Sequence, residues 1–298
     1  MLISKLGEFG LITRLKRRIK LDSSVVKGIG DDCAVLRFTK DKYQLFTCDM
    51  LVEGIDFKTK TDPYLIGRKA LAVSMSDIAA CGGIPKHYLV ALGIPKSTSV
   101  KFIDRFFSGM KNLARKNNIN FVGGDISKSG VLTIDLSMLG EVEKKNLVLR
   151  SNANPDDIIF VTGSIGGSIH GKHLKFCPRI KEARLLVKNF KINSMIDISD
   201  GLTQDLSHIL KTSKKGAIIY EELIPLSSQA GSLKEALNSG EDFELLFTMA
   251  PKEAKRLISK KMEIFSPIGK IVDGKYGMIL VNKKGGVRKE EIKGFRHF

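Results

Sequence analysis

Aspartates recur in this chain beside glycines and hydroxyls. They stand in Gly28-Ile29-Gly30-Asp31-Asp32, Thr47-Cys48-Asp49, Ser76-Asp77, Gly123-Gly124-Asp125 and Asp197-Ile198-Ser199-Asp200-Gly201. Acidic residues at the carboxyl ends of strands in an α/β sheet can converge although they lie far apart in sequence. Two such charges about 4 Å apart repel by roughly 4 kcal/mol at an effective dielectric near 20, so a cluster needs a divalent cation or must take up protons. Oxygen ligands without paired Cys or His point to Mg²⁺ shared with substrate phosphates. A single Asp caps a helix or closes a turn without binding anything. Gly-Gly-Asp and Asp-x-Ser-Asp-Gly are rarer as turn fillers, and their joint occurrence carries the metal reading.

Gly166 to Lys172 follows a predicted strand and nearly matches a phosphate-binding loop, but His173 stands where Ser or Thr would hold the metal. A glycine-rich turn before a helix is the simpler reading. His87, His170, His173, His208 and His297 share no metal-binding spacing and are expected to be structural. No Gly-x-Ser-x-Gly elbow supports covalent acyl chemistry.

The elements that must position these residues alternate. Tyr43 to Cys48 reads as a strand with Asp49 at its end, Tyr64 to Cys81 as a helix enclosing Asp77, and Tyr88 to Gly93 as a strand. Ser99 to Lys116 is a helix with Phe102, Phe106, Met110 and Leu113 on one face. Asn120 to Val122 and Leu132 to Leu139 are strands, so that Gly123-Gly124-Asp125 closes the first of them. Beyond the polar turn at residues 152–157 the rhythm resumes. Strands are expected at Ile158–Thr162, Met195–Ile198, Ala217–Tyr220 and Phe243–Thr248, and helices at Arg179–Lys188, Leu202–Lys211 and Leu233–Asn238. The expected fold class is α/β (α+β) in two lobes, residues 1–143 and 144–298, as the length of 298 residues suggests.

The formal net charge of +17 favours anionic partners. Its basic residues are scattered, with short clusters such as Arg14-Leu15-Lys16-Arg17-Arg18, and the chain has no Trp and five Tyr. A nucleic-acid-binding protein would need longer basic blocks and aromatic strips. No apolar run reaches membrane-spanning length, and Cys33, Cys48, Cys81 and Cys177 form no paired motif, so a reduced, cytoplasmic protein is expected.

These motifs, in this order, resemble the thiamine-monophosphate kinase family, of the superfamily that includes aminoimidazole ribonucleotide and selenophosphate synthetases. The resemblance runs nearly end to end, from Gly7-Glu8-Phe9 through Asp49-Met50-Leu51-Val52-Glu53-Gly54, Lys69-Ala70-Leu71-Ala72-Val73 and Gly240-Glu241-Asp242-Phe243-Glu244-Leu245 to Gly294-Phe295-Arg296-His297-Phe298. It implies ATP-dependent phosphorylation of thiamine monophosphate by direct in-line transfer, and several Mg²⁺ ions at Asp32, Thr47, Cys48, Asp49, Asp77, Asp125, Asp197 and Asp200, Cys48 acting through its backbone. It further implies that Gly124, Asp125, Arg150 and Ser199 meet ATP, with Asp125, Asp200 and Arg150 nearest the chemistry. Asp56, Glu241 and Phe295 fall on the thiamine side, and the resemblance implies a homodimer that pairs the sheets of its N-terminal lobes. Two departures stand out: Asp56 occupies the place where the family usually has His, and a longer insert ending in Pro-x-Pro-Arg is reduced to Cys177-Pro178-Arg179. Selenophosphate synthetases carry a reactive Cys or selenocysteine near the N-terminus, whereas no cysteine precedes Cys33.

Overall fold

A computed structural model describes residues 2–295. Two short helices, α1 (Ile3–Leu6) and α2 (Glu8–Lys16), precede a mixed sheet built from β1 (Val25–Lys27), β2 (Ala34–Arg37), β3 (Lys42–Val52), β4 (Ile84–Ile94), β5 (Asn120–Lys128) and β6 (Thr133–Glu143). Its order is β1-β2-β3-β6-β4-β5, with only β4 and β5 parallel. Helices α3 (Pro63–Ala80) and α4 (Val100–Asn117) belong to this half of the chain, and α3 packs on one face of the sheet.

The second sheet comprises β7 (Ile158–Thr162), β8 (Ser194–Asp197), β9 (Lys215–Tyr220), β10 (Leu245–Met249), β11 (Phe265–Asp273), β12 (Met278–Val281) and β13 (Val287–Lys289). Its order is β13-β12-β9-β11-β7-β10-β8, parallel only between β12 and β9. Helices α5 (Lys172–Lys175), α6 (Ile180–Asn189), α7 (Leu202–Ser213), α8 (Leu233–Asn238) and α9 (Pro251–Ile258) accompany it.

Helix α3 links the halves. Asp62 caps it by accepting from the Tyr64 amide at 3.0 Å, Pro63 supplies a pre-set first turn, and Gly82, at φ +72°, ends it. Its Ile66, Leu71, Met75 and Ile78 enter the first core, while Ala79 and Ala80 enter a core shared with Phe160, Leu186 and Phe247 of the second lobe. Arg184 of α6 reinforces the junction by donating to the Gly82 carbonyl at 2.6 Å and to both Glu143 oxygens at 2.8 Å.

Several strand ends differ from expectation, with β4 starting at Ile84 and β6 ending at Glu143, and two of the differences bear on the site. Strand β3 continues through Asp49 to Val52, its alternation obscured because Thr47 and Asp49 are polar yet point to the helix side. Strand β5 continues through Gly123-Gly124-Asp125 to Lys128 as a sheet edge. An edge strand exposed along its length has no buried face to impose alternation, so its polar residues read as a turn. Among the described residues no helix is long and apolar enough to cross a membrane.

Candidate active site

Alternation in β3 and helical spacing in α3 build the site between them. Thr47 and Asp49, two apart, face the helix, where Ser74 and Asp77 sit three apart on α3. The Thr47 hydroxyl donates to Asp77, and Ser74 donates to Asp49 at 2.5 Å. From the second lobe Asp197, the last residue of β8, accepts from Ser76 at 2.6 Å. Asp32, in the loop before β2, completes the convergence. Oxygens of Asp32, Asp77 and Asp197 lie within 4.8 Å of one another.

The electrostatics of this group demand a counter-charge. Burial pushes Asp197 up to about 7, Asp32 adding to the effect, and raises Asp49 to about 6. Asp77 is pushed well above the carboxylate range by burial and by Asp49, Asp197 and Asp32. Asp31, which the sequence reading did not place in the site, is raised to about 6 by burial and by Asp32. Arg150 answers part of this charge: its guanidinium donates to Asp32 at 2.9 Å, its amide to Asp31 at 3.2 Å, and these two carboxylates outweigh burial to hold it charged. One oxygen each of Asp31 and Asp32 remains buried without a hydrogen bond, although Lys27 approaches Asp31 at 3.4 Å. The orphaned Asp32 oxygen, in an all-oxygen set with Asp77 and Asp197, fits a hard divalent cation, while Asp31 and Asp32 also lie within ligand distance of the Cys81 thiol.

Beside this cluster lies a cleft of about 560 Å³ between the lobes, with Asp49, Asp56, Ser199, Asp200, Glu241 and Phe295 among its lining residues. The loop bearing Glu241 is tightly held: the Glu241 amide donates to the Ser199 carbonyl at 2.7 Å and the Phe243 amide to that of Ile198 at 2.8 Å. Glu241 and Phe243 both have left-handed backbones, at φ 64° and 50°. Such conformations cost of order 1–3 kcal/mol for non-glycine residues and persist where the surroundings enforce them. Asp200 and Gly201 donate their amides to Asp205 at 3.0 Å, and His208 joins these carboxylates within ligand distance, a second group that sequence spacing did not single out. Phe295 donates its amide to the Asp200 carbonyl at 3.0 Å; Arg296, His297 and Phe298 lie outside the described residues.

Not every expected residue joins. Asp125 and Asp135 both register opposite Ala91 on the exposed face of the sheet, away from α3, so the fold does not bring Asp125 to the cluster within one chain. The Cys48 side chain also points to that face, donating to Asp135 at 3.2 Å. Gly124 sits where an added Cβ would come within 1.8 Å of the Val90 carbonyl oxygen, so its smallness serves strand packing. The glycine-rich turn at 166–172 does not present a phosphate cradle: the Gly166 amide and the Ser168 hydroxyl bind the buried Asp242, and Lys172 pairs with Glu244 at 2.9 Å.

Family models match both halves of the chain. A family model described as AIR synthase related protein, N-terminal domain, matches residues 30–142, and its C-terminal counterpart matches residues 162–282. The thiamine-monophosphate kinase of Buchnera aphidicola subsp. Schizaphis graminum (strain Sg) is 38% identical, over 98% of this chain and 99% of its own. That of Bacillus subtilis (strain 168) is 36% identical, over 98% of this chain and 100% of its own. The chain belongs to the thiamine-monophosphate kinase family. The solved structure of AaThiL complexed with AMPPCP and TMP superposes with a TM-score of 0.88 at 31% identity, covering 100% of this chain and 99% of that one. The 171–179 segment forms a wall between the first lobe and the loop of Phe243 and Glu244. Phe176 stacks on Phe243 at 4.1 Å, Arg68 donates to the carbonyls of Leu174 and Phe176 at 3.3 and 2.5 Å, and Arg179 grips both oxygens of Glu244.

Proposed function

We infer that this chain transfers the γ-phosphoryl group of ATP to the phosphate of thiamine monophosphate, giving thiamine diphosphate and ADP. The observation that carries this reading is the buried carboxylate cluster beside an interlobe cleft of small-molecule size. The relatives' names and the AMPPCP and TMP of the superposed structure support the same substrates.

The acceptor is already an anion and needs no strong base; it needs its repulsion from ATP relieved and its oxygen aligned. Asp32, Asp49, Asp77, Asp197 and Asp200, with the Thr47 hydroxyl, would hold Mg²⁺, whose chemistry here is charge neutralisation of the phosphates. Arg150, already ordered by Asp32, is the fixed cation on the nucleotide side. A groove of about 680 Å³ lined by Tyr88, Phe107, Phe121, Lys111 and Arg115 abuts the strand of Gly124 and Asp125, and its aromatic walls suit a nucleobase. On the acceptor side Glu241 supplies negative charge and Phe295 an aromatic ring, the chemistry that suits a thiazolium cation.

The exposed sheet face bearing Phe46, Met50 and Leu89 supports pairing with a second copy, which would give Cys48 and Asp125 a neighbour across the interface. We also propose the division into domains at residues 1–143 and 144–298, and a cytoplasmic location, which the four free cysteines favour.

ADP release with Mg²⁺ is to be compared for thiamine monophosphate, thiamine and no acceptor, with the product identified by mass. Thiamine diphosphate should form only from the monophosphate, and Asp197→Asn should lower kcat at least about 100-fold. A folded, ATP-binding protein with no acceptor-dependent turnover would sink the reading. Direct transfer fails if ATP alone leaves a phosphorylated protein.

A further inference from the structure

Lys69 occupies the same face of α3 as Val73 and Asp77, one and two turns away. It is fully buried, and its ammonium donates to the Asp56 carbonyl at 2.7 Å and to the Glu241 carboxylate. A buried ion pair is commonly no more stable than an apolar pair of the same volume, so stability does not explain a lysine in this apolar helix.

Its partners do. Asp56 lies on the turn after β3 and Glu241 on the loop before β10, opposite walls of the interlobe cleft. Each wall is independently fixed, Asp56 by its amide donating to the Val52 carbonyl at 3.0 Å and its carboxylate accepting from the Val52 amide at 2.7 Å, and Glu241 by its amide donating to the Ser199 carbonyl. Lys69 stands behind both and joins them. Without it the Glu241 side chain would lose the charged group that anchors it and would swing toward water.

We propose that Lys69 is a positioning residue for the phosphoryl acceptor, holding Glu241 against Asp56 so that the cleft is preformed for a cationic, phosphate-bearing ligand. This rests on the reading above that the cleft takes thiamine monophosphate. The carboxylate cluster stands two turns along the helix from Lys69, about 11 Å at the pitch of an α-helix, so the clamp acts on the acceptor end of the cleft.

The test is Lys69→Met, which keeps length and removes charge, with its melting temperature confirming the fold. The Michaelis constant for thiamine monophosphate should rise about 10- to 100-fold, the effect of losing a charged hydrogen bond. The values of kcat and of KM for ATP should stay within about threefold, and equilibrium binding of thiamine monophosphate measured without ATP should weaken in parallel. Glu241→Gln should weaken binding in the native background and add little to Lys69→Met, since both remove one coupled pair. A folded Lys69→Met protein with unchanged affinity for thiamine monophosphate, additive effects of the two substitutions, or an equal loss toward ATP would each overturn the proposal while the functional reading stands. Native protein that neither binds nor phosphorylates thiamine monophosphate overturns the functional reading, and this proposal with it.

Discussion

At the scale of single residues, the carboxylate cluster is a site held in tension until a cation arrives. Burial raises Asp49 to about 6 and, with repulsion from Asp32, Asp197 to about 7, while burial and the neighbouring aspartates push Asp77 well above the carboxylate range. Their folded values therefore exceed the roughly 3.9 of an unfolded aspartate, and between about pH 4 and about pH 7 the native state binds the extra protons. Their contribution is fully present below the unfolded value and is lost as pH rises through the folded ones. Metal-free protein should accordingly lose thermal stability across that window. Mg²⁺ binds the ionised form, so the rise in melting temperature that it produces should grow with pH. Differential scanning fluorimetry at several pH values, with and without Mg²⁺, checks both signs; an Mg²⁺ effect independent of pH would contradict the assignment. Ser74 carried no signal in the sequence, Ser76 stood out only as the neighbour of Asp77, and Lys69 only as part of a family motif. Their partners Asp49, Asp197 and Glu241 lie 25, 121 and 172 residues away, beyond the reach of local spacing.

At the scale of elements, α3 does most of the positioning, and its contact with α4 depends on two glycines. A Cβ on Gly67 would come within 2.0 Å of the Phe106 carbonyl oxygen, and one on Gly109 within 1.9 Å of the Tyr64 carbonyl oxygen. The helices thus meet backbone to backbone where a methyl group does not fit. Gly67→Ala should destabilise by about 1–3 kcal/mol, the usual range for overpacking a core, seen as a lower urea midpoint with an unchanged slope. Activity per folded molecule should persist, because the site-bearing turns of α3 begin at Lys69. The two helices and most of the second-lobe elements were readable from apolar periodicity, to within a residue or two at their ends. The full lengths of β3 and β5 were not, since one buries polar residues for the site and the other is an exposed edge.

At the scale of the whole molecule, one face of the first sheet is covered by helices and the other leaves Phe46, Met50 and Leu89 exposed. Pairing of two such faces would cover that apolar surface. Sedimentation of the native chain should show a dimer, and Leu89→Glu, which places charge in the middle of the face, should shift it toward monomer at micromolar concentration. An unshifted native monomer would remove the dimer from the reading. The lobes themselves are joined through α3, the Arg184 bridge and the Lys69 clamp, so the cleft between them is built by contacts rather than by a linker alone.

The sequence by itself determined the class of fold, the order of most of its central elements, the family resemblance and the identity of the acidic motifs, because these depend on local periodicity and on short runs of rare residue combinations. Only the tertiary structure decided which motifs meet. It united Asp32, Asp77 and Asp197 with Asp49 close by, drew in Asp31, and left Asp125 on the opposite face of its sheet. It also turned Lys172 of the glycine-rich turn to a buried glutamate instead of a ligand. The physical reason is the same in each case: strand register and helix packing choose the face on which a side chain stands, and no local pattern encodes the partner across the core.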